Sequence, residues 1–346
     1  IGTPNLLSSS TTGNHMSSLL ETRELSKRFV KHLDFAAKLA HKLGANVQEE
    51  VVQAVDQVNL DIRQGEVVGL VGESGCGKST FGRMVTGILP PSAGTIHYNG
   101  KDISNAASPE GHAAALKIQM IFQDPFASLN PRMRVRDIIG EAPRIHGLLE
   151  GQSQDEYVAN MLEKVGLDAS YSGRYPHQFS GGQRQRLGVA RALAVQPEFL
   201  VCDEAVAALD VSIQAQVLNL FMDLREQLNL TYLFISHDLS VVEHISNRVL
   251  IMYLGRVVES APTEDMFHSP NHPYTQALLN EVPRLDLRKR QYTPVAGEIP
   301  SPLNPPTGCH FHPRCPHATS KCHTEIPQLK GIAPDRQSAC FLNETP

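Results

Sequence analysis

The sequence predicts an α/β fold with a parallel-sheet core, and three observations carry that prediction. Val67-Val68-Gly69-Leu70-Val71 is a short apolar run suited to a strand buried on both faces. It leads into Gly72, four residues, and Gly77-Lys78-Ser79, the spacing of a phosphate-binding loop. Phe81, Met84, Val85 and Ile88 then follow at helical spacing as far as Pro90-Pro91, so strand, loop and helix come in the required order. Across Gly72, Ser74, Gly75, Cys76 and Gly77 the glycines let successive backbone N–H groups point into one concavity that cradles phosphate oxygens. Lys78 adds a point charge near the β and γ phosphates, and the Ser79 hydroxyl suits a Mg²⁺ ligand. With the positive end of a helix starting there, the segment implies a bound nucleoside triphosphate.

The chain has 346 residues, which suggests one large domain plus an extension. A hydrophobic content of 41% supports a core, and a net charge of −5 gives no basic character, which argues against a nucleic-acid partner. No apolar run approaches the roughly 20 residues of a membrane span, and no leader pattern opens the chain. The expectation is therefore a soluble, cytoplasmic protein whose membrane dealings run through partners. Residues 1–16, rich in Ser, Thr and Asn ahead of Met16, read as a tag remnant or disordered tail.

From Leu19 to Phe29 and from Val51 to Ile62 the pattern is β; Val58, Leu60 and Ile62 alternate with polar residues. Between them, Lys31 to Asn46 reads as an amphipathic helix. Leu33, Ala36, Ala37, Ala40 and Leu43 share one face, with Lys31, Lys38 and Lys42 elsewhere. A membrane-surface helix and a solvated insert both fit this pattern. Phe29 is either an aromatic platform for a base or an ordinary core residue. Gln64-Gly65 turn the chain into the phosphate-loop strand. After the helix, Gly94–His97 and Asn99-Gly100 read as strand and turn, and Ile118–Phe122 as a strand ending at Gln123-Asp124-Pro125. Pro131 to Gly166 is helical, with Val135, Ile138, Ile139 and Ala142 on one face and Val158, Met161, Leu162 and Val165 on another.

Phe179-Ser180-Gly181-Gly182-Gln183 opens a long helix, placed at Arg186–Val195, and offers free N–H groups at its start. Phe199-Leu200-Val201-Cys202 is a buried strand that delivers Asp203 and Glu204 at its carboxyl end, where ligands of open α/β sheets bind. One carboxylate can hold hydrated Mg²⁺ while the next polarises the attacking water. Tyr232–Ile235 is a further strand and sets His237 on the same edge.

The ordered set Gly72–Thr80, Gln123, Ser180–Gln183, Asp203-Glu204, Ala208-Leu209-Asp210 and His237, from about Leu19 to Ser260, resembles the ATPase domain of ABC transporters. Phe122-Gln123-Asp124-Pro125, Ser128–Arg132, His272–Leu279 and Ser301–Pro306 are similar to the ATPase subunits of bacterial dipeptide/oligopeptide importers, in particular the second of their two ATPases. The resemblance implies a P-loop NTPase of the ABC ATPase type at 17–260. Such a fold has a parallel-sheet core, an antiparallel β subdomain and a helical subdomain at about 126–180. A Pro/Cys-rich extension at 261–346 follows.

It also implies roles. Lys78, Ser79 and Thr80 hold phosphate and Mg²⁺, with Gln123 and Asp203 completing the metal environment. Glu204 is the general base, His237 contacts the γ-phosphate, and Phe29 stacks on adenine. Ser180, Gly181, Gly182 and Gln183, with Asp210, act in trans on ATP held by a partner ATPase. The implied assembly pairs this chain with a second, homologous ATPase. Two permease subunits and a substrate-binding protein complete it, at the cytoplasmic face of the bacterial inner membrane. The family commonly has Pro and Ser where this chain has Ala205 and Ala207, so a hydroxyl that could cross the ATPase interface is missing. Alternatives are a non-transport ABC ATPase, which would show heptad arms or two motif sets, and importers of nickel, glutathione, opines or sugars.

Fourteen of the 23 prolines follow Ala261, and from Pro294 to Pro316 regular structure is scarcely possible. Such a segment needs a staple. Cys309, Cys315, Cys322 and Cys340 supply four thiolates, enough for an iron–sulfur cluster or one tetrahedral Zn²⁺, with His310, His312, His317 and His323 as other ligands. The Gly308-Cys309, Arg314-Cys315, Cys322 and Ala339-Cys340 pattern resembles the extension of peptide-importer ATPases, which implies a [4Fe–4S] cluster.

Overall fold

The structure, a computed structural model, describes residues 18–31, 49–124, 128–280 and 297–344. The expectations for residues 1–16, for nearly all of the helix between Lys31 and Asn46, and for Pro125 lie outside these residues.

Strands β1 (Ser18–Lys31) and β2 (Glu50–Arg63) run antiparallel, with Leu20 opposite Ile62 and Phe29 opposite Val52. Val58, Leu60 and Ile62 are buried and their neighbours exposed, as the alternation predicts. The turn at Gln64-Gly65 leads into β3 (Val67–Val71), every residue of which is buried. Helix α1 (Lys78–Val85) stops before the prolines expected to end it, because Gly87 takes the left-handed conformation, φ +72°, and turns its N–H onto Met84 O. Strands β4 (Ala93–Tyr98) and β5 (Lys101–Asp102) flank the Asn99-Gly100 turn, and β4 joins the other edge of β1 to give the order β2-β1-β4-β5.

Helix α2 (Pro109–Lys117) was not predicted, although Ser108 caps it and proline takes its first position. Strand β6 (Ile118–Ile121) follows, then α3 (Val135–Ile145) and α4 (Gln154–Lys164), the latter opened by a Ser153/Glu156 capping box. Helix α5 (Gly181–Leu193) begins five residues ahead of the expected Arg186, since Ser180 and Gln183 close a capping box there. Strand β7 (Phe199–Asp203), helix α6 (Val211–Leu228), strand β8 (Thr231–Ile235), helix α7 (Leu239–Ile245) and strands β9 (Arg248–Tyr253) and β10 (Arg256–Pro262) complete the centre. Strands β6, β7, β8, β3 and β9 lie in that order and all parallel, which sends the carboxyl ends of β3, β7 and β8 to one edge. Helices α3 to α6 pack their apolar faces through Tyr157, Leu162, Leu187 and Phe221 onto one side of this sheet, and α1 with the antiparallel sheet covers the other. No helix among the described residues is long and apolar enough to cross a membrane.

Beyond β10 come α8 (Thr263–His268), α9 (Pro273–Asn280), α10 (Ser320–Thr324) and the hairpin β11 (Lys330–Ala333) and β12 (Arg336–Ser338). Residues 297–316 hold a single 3₁₀ turn, His312–Arg314, in keeping with the proline content. The hairpin was not expected. β12 pairs antiparallel with β10, Glu259 opposite Ser338, so the end of the chain extends the central sheet. Tyr253, Tyr274 and Phe311 form an aromatic cluster with centroids 4.7 to 5.4 Å apart, behind which Glu259 accepts from the N–H groups of Asn271 and His272.

His272 is buried, and its Nδ1 accepts from Tyr274 N–H at 3.1 Å, a bond that only the neutral tautomer makes. Burial lowers its pKa to about 4. A histidine whose pKa falls on folding contributes stability above the unfolded value and loses it as pH drops through the interval down to the folded one. The protein should therefore lose about 2 kcal/mol between pH 7 and pH 5 from this group alone. Urea titrations at the two pH values should show the loss shrinking in His272→Asn, which keeps an acceptor without the titration.

Candidate active site

The loop from Gly72 to Ser79 joins β3 to α1 through a passage with no room for side chains. A Cβ on Gly72 would sit 2.1 Å from Met252 O, and one on Gly77, at φ +107°, 2.1 Å from Ala54 O. Ser74 and Gly75 are exposed at the tip, Thr80 is half-buried, and Cys76 is buried, which pushes its thiol pKa up and leaves it neutral. Lys78 folds back across the loop, its Nζ donating to Gly72 O at 2.6 Å and Glu73 O at 3.1 Å. That ammonium stands where it can exchange carbonyls for phosphate oxygens.

Ser79 Oγ donates to Asp203 Oδ1 at 2.7 Å, bringing the start of α1 to the end of β7. Burial raises the Asp203 pKa against the pull of the Ser79 bond. A hydroxyl and a carboxylate so placed suit Mg²⁺, which takes one or two protein oxygens and completes its shell from water and phosphate. The next residue, Glu204, adopts φ +48°, a left-handed conformation that costs an L-residue about 1–2 kcal/mol. Its N–H is anchored on Ile235 O at 2.9 Å. This turn brings the carboxylate between Gln123 Nε2, 2.7 Å from one oxygen, and His237 Nδ1, 3.4 Å from the other. Residues beyond the ends of β6, β7 and β8 thus meet on one carboxylate, an arrangement able to take a proton from water.

Other predicted residues stand apart from this group. Ser180 N–H donates to Gln183 Oε1 at 3.0 Å, and Gln183 N–H to Ser180 Oγ at 3.4 Å, so they cap α5. Ser180 and Gly181 are exposed, as is Asp210 at the start of α6. Among the described residues no hydrogen bond ties Ser180–Gln183 or Asp210 to the phosphate loop of the same chain. Phe29 is 43% exposed with Lys27 Nζ over its ring, 5.4 Å from the centroid, so it lies outside the core. Ala205 is buried and Ala207 exposed.

One set of loop contacts was not anticipated. Arg314 grips Glu73 with both nitrogens, Nη1 to Oε2 at 2.7 Å and Nη2 to Oε1 at 3.0 Å, and Glu73 N–H donates to Tyr274 Oη at 3.0 Å. Burial opposes the guanidinium charge, and Glu73 with Tyr253 outweighs it, raising the arginine pKa. Tyr274 and Arg314 stood in segments singled out by resemblance, but nothing in their spacing pairs them with Glu73.

Cys309, Cys315, Cys322 and Cys340 line one cavity of about 160 Å³ with His272, His312 and His317. The expected metal site is not seen ready-formed: among the described residues no three His, Cys, Asp or Glu side chains are set to hold a metal ion. Burial pushes the Cys309 thiol up to about 11 and also raises those of Cys315 and Cys340. Cys322 Sγ instead lies 3.4 Å from both N and Oγ1 of Thr319.

Residues 55–207 match the ABC transporter family model, and residues 258–322 match the oligopeptide/dipeptide transporter C-terminal region. The oligopeptide transport ATP-binding protein AppF of Bacillus subtilis is 49% identical over 96% of this chain and 99% of its own length. The dipeptide transport ATP-binding protein DppF of Haemophilus influenzae is 48% identical over 87% of this chain and 92% of its own. A solved dimeric ATP-binding cassette with ADP and Pi shares the fold at 24% identity, with a TM-score of 0.59 over 70% of this chain and 98% of that one.

Glu204→Gln should still bind a nucleoside triphosphate while turnover falls about 10²–10⁴-fold, the contribution typical of a positioned general base. Lys78→Ala should weaken binding itself. Titration with a fluorescent nucleotide beside a phosphate-release assay separates the two effects, and equal losses of affinity would contradict these roles.

Proposed function

Because this chain belongs to the ABC transporter ATPase family, in its oligopeptide/dipeptide branch, we propose that it is the ATP-hydrolysing subunit that powers a peptide importer. The observation that carries the reading is the Glu204 carboxylate held between Gln123 and His237, beside the Ser79–Asp203 pair at the mouth of the phosphate loop.

In this reading Glu204 takes the proton of the attacking water, and Gln123 and His237 keep its carboxylate aimed at the γ-phosphate. Lys78 transfers its ammonium from the loop carbonyls to the phosphates. Ser79 and Asp203 would hold Mg²⁺, whose positive charge would offset that of the phosphates. Phe29 stacks on adenine. The exposed N–H groups at the start of α5 need an anion that their own loop does not bring to them. Ser180–Gln183 therefore serve ATP on a second, homologous ATPase, and Asp210 faces the same interface. Exposed Ala207 brings no hydroxyl to it, so one of the two composite sites hydrolyses more slowly. Permeases bind on the membrane side, and a binding protein delivers peptide from outside the inner membrane. In domain terms 17–260 is the ATPase, with its helical subdomain at about 126–180, and 261–346 is the extension.

For the extension we keep the [4Fe–4S] reading over Zn²⁺. A single zinc needs four ligands closing on one point, which no described side chains provide, whereas all four cysteines line one cavity, as a cluster ligated by four thiolates requires. Protein purified without oxygen should be brown and lose iron in Cys315→Ser; a colourless, zinc-loaded preparation would decide against the cluster.

The isolated chain should hydrolyse ATP slowly, and its rate should rise when the paired ATPase and permeases are added. Ser180→Ala should depress turnover only in the assembled complex. Full activity in a monomer, independent of concentration, would overturn the proposal.

A further inference from the structure

Glu73 is a carboxylate inside a loop built to receive a triphosphate. Left alone it would repel that ligand. It is not alone: Arg314, whose side chain is 4% exposed, meets it with a two-nitrogen fork, and the buried Tyr274 hydroxyl accepts its backbone N–H. Both partners come from the C-terminal extension. Arg314 is held in turn by Tyr253 Oη, 3.4 Å from Nη1, and the Tyr253, Tyr274 and Phe311 rings back the whole arrangement.

We propose that Arg314 and Tyr274 are positioning residues for the ATP site, by which the C-terminal extension neutralises Glu73 and fixes the start of the phosphate loop. This rests on the reading of that loop as the nucleotide site. Lys78 Nζ now bridges the carbonyls of Gly72 and Glu73. When its ammonium moves to phosphate, those carbonyls lose the Lys78 contact at the moment the loop must hold its shape. Glu73 then keeps the Cys76 N–H on its carbonyl at 3.3 Å, and its side chain and N–H keep Arg314 and Tyr274. Arg314 and Tyr274 therefore favour the nucleotide-bound loop by keeping it in place and by cancelling a charge carried on the loop itself.

The test is ATP affinity in the full chain, read with a fluorescent ATP analogue and Mg²⁺, together with KM and kcat in the assembled transporter. Arg314→Gln leaves Glu73 charged and should weaken binding about tenfold, the scale of one charge-assisted hydrogen bond. KM should rise to match, with kcat little changed. Adding Glu73→Gln should restore affinity, because the repelling charge has gone; urea titrations of both variants are run beside it, since a purely structural role requires affinity to follow folding stability and the positioning role does not. Tyr274→Phe, which removes one hydroxyl from an intact aromatic cluster, should weaken binding about threefold. If Arg314→Gln does not fold, Arg314→Lys takes its place, keeping the charge and staying within about threefold of the parent. Unchanged affinity in Tyr274→Phe, or absence of rescue in the double variant, overturns the proposal. Lys78→Ala is the control: if it leaves binding intact, the nucleotide reading of the loop fails, whatever Arg314 does.

Discussion

Strands β3, β7 and β8 are five residues each and buried from end to end, so none can slip in register without driving a polar flank into the core. Their parallel pairing, Leu70 with Ile235 and Asp203 with Ile235, brings three chain reversals to one edge of the sheet. Lys78, Asp203, Glu204 and His237 meet there because the core holds the strands, and Gln123 joins from the neighbouring β6. The site's geometry is thus set by hydrophobic burial beneath it, and its polar contacts adjust positions the sheet has already chosen.

Two residues at this edge are kept in states they would not choose alone. Glu204 sits in a left-handed conformation, held by Ile235 O, and the twist that strains its backbone turns its carboxylate toward Gln123 and His237. Glu73 carries charge into a phosphate site and is matched by a nearly buried arginine. Removing one partner of such a pair costs about 3–5 kcal/mol, a large share of a domain's net stability. Both arrangements depend on structure away from the loop itself.

The sequence was most informative where chemistry demands a fixed order. Gly72–Thr80, Asp203-Glu204 and His237 could be placed at strand ends because apolar runs announced the strands, and the structure joins them by hydrogen bonds. Helix ends were harder: α5 starts earlier than read because Ser180 and Gln183 cap each other, and α1 stops early because Gly87 turns left-handed. Helix α6 went unread although Val217, Leu218, Phe221 and Leu224 mark its buried face. The extension was the least legible part. Its order comes from the pairing of β12 with β10 and from Arg314 on Glu73, contacts between distant segments that no local pattern encodes. Cysteine spacing suggested a metal staple, and the residues that fasten the tail to the loop are an arginine and a tyrosine.

The Glu73–Arg314 contact spans 241 residues of sequence, which gives it a place in time as well as in space. A ribosome adding 5–20 residues per second makes the loop roughly 10–50 s before it makes its arginine. During that interval β3 and α1 can form, yet Glu73 presents a bare carboxylate to any triphosphate nearby. A chain cut short before residue 314 stays in that state permanently. Tight nucleotide binding would then report that synthesis has run nearly to its end, so an incomplete subunit would compete poorly for ATP and for a place in the assembled transporter.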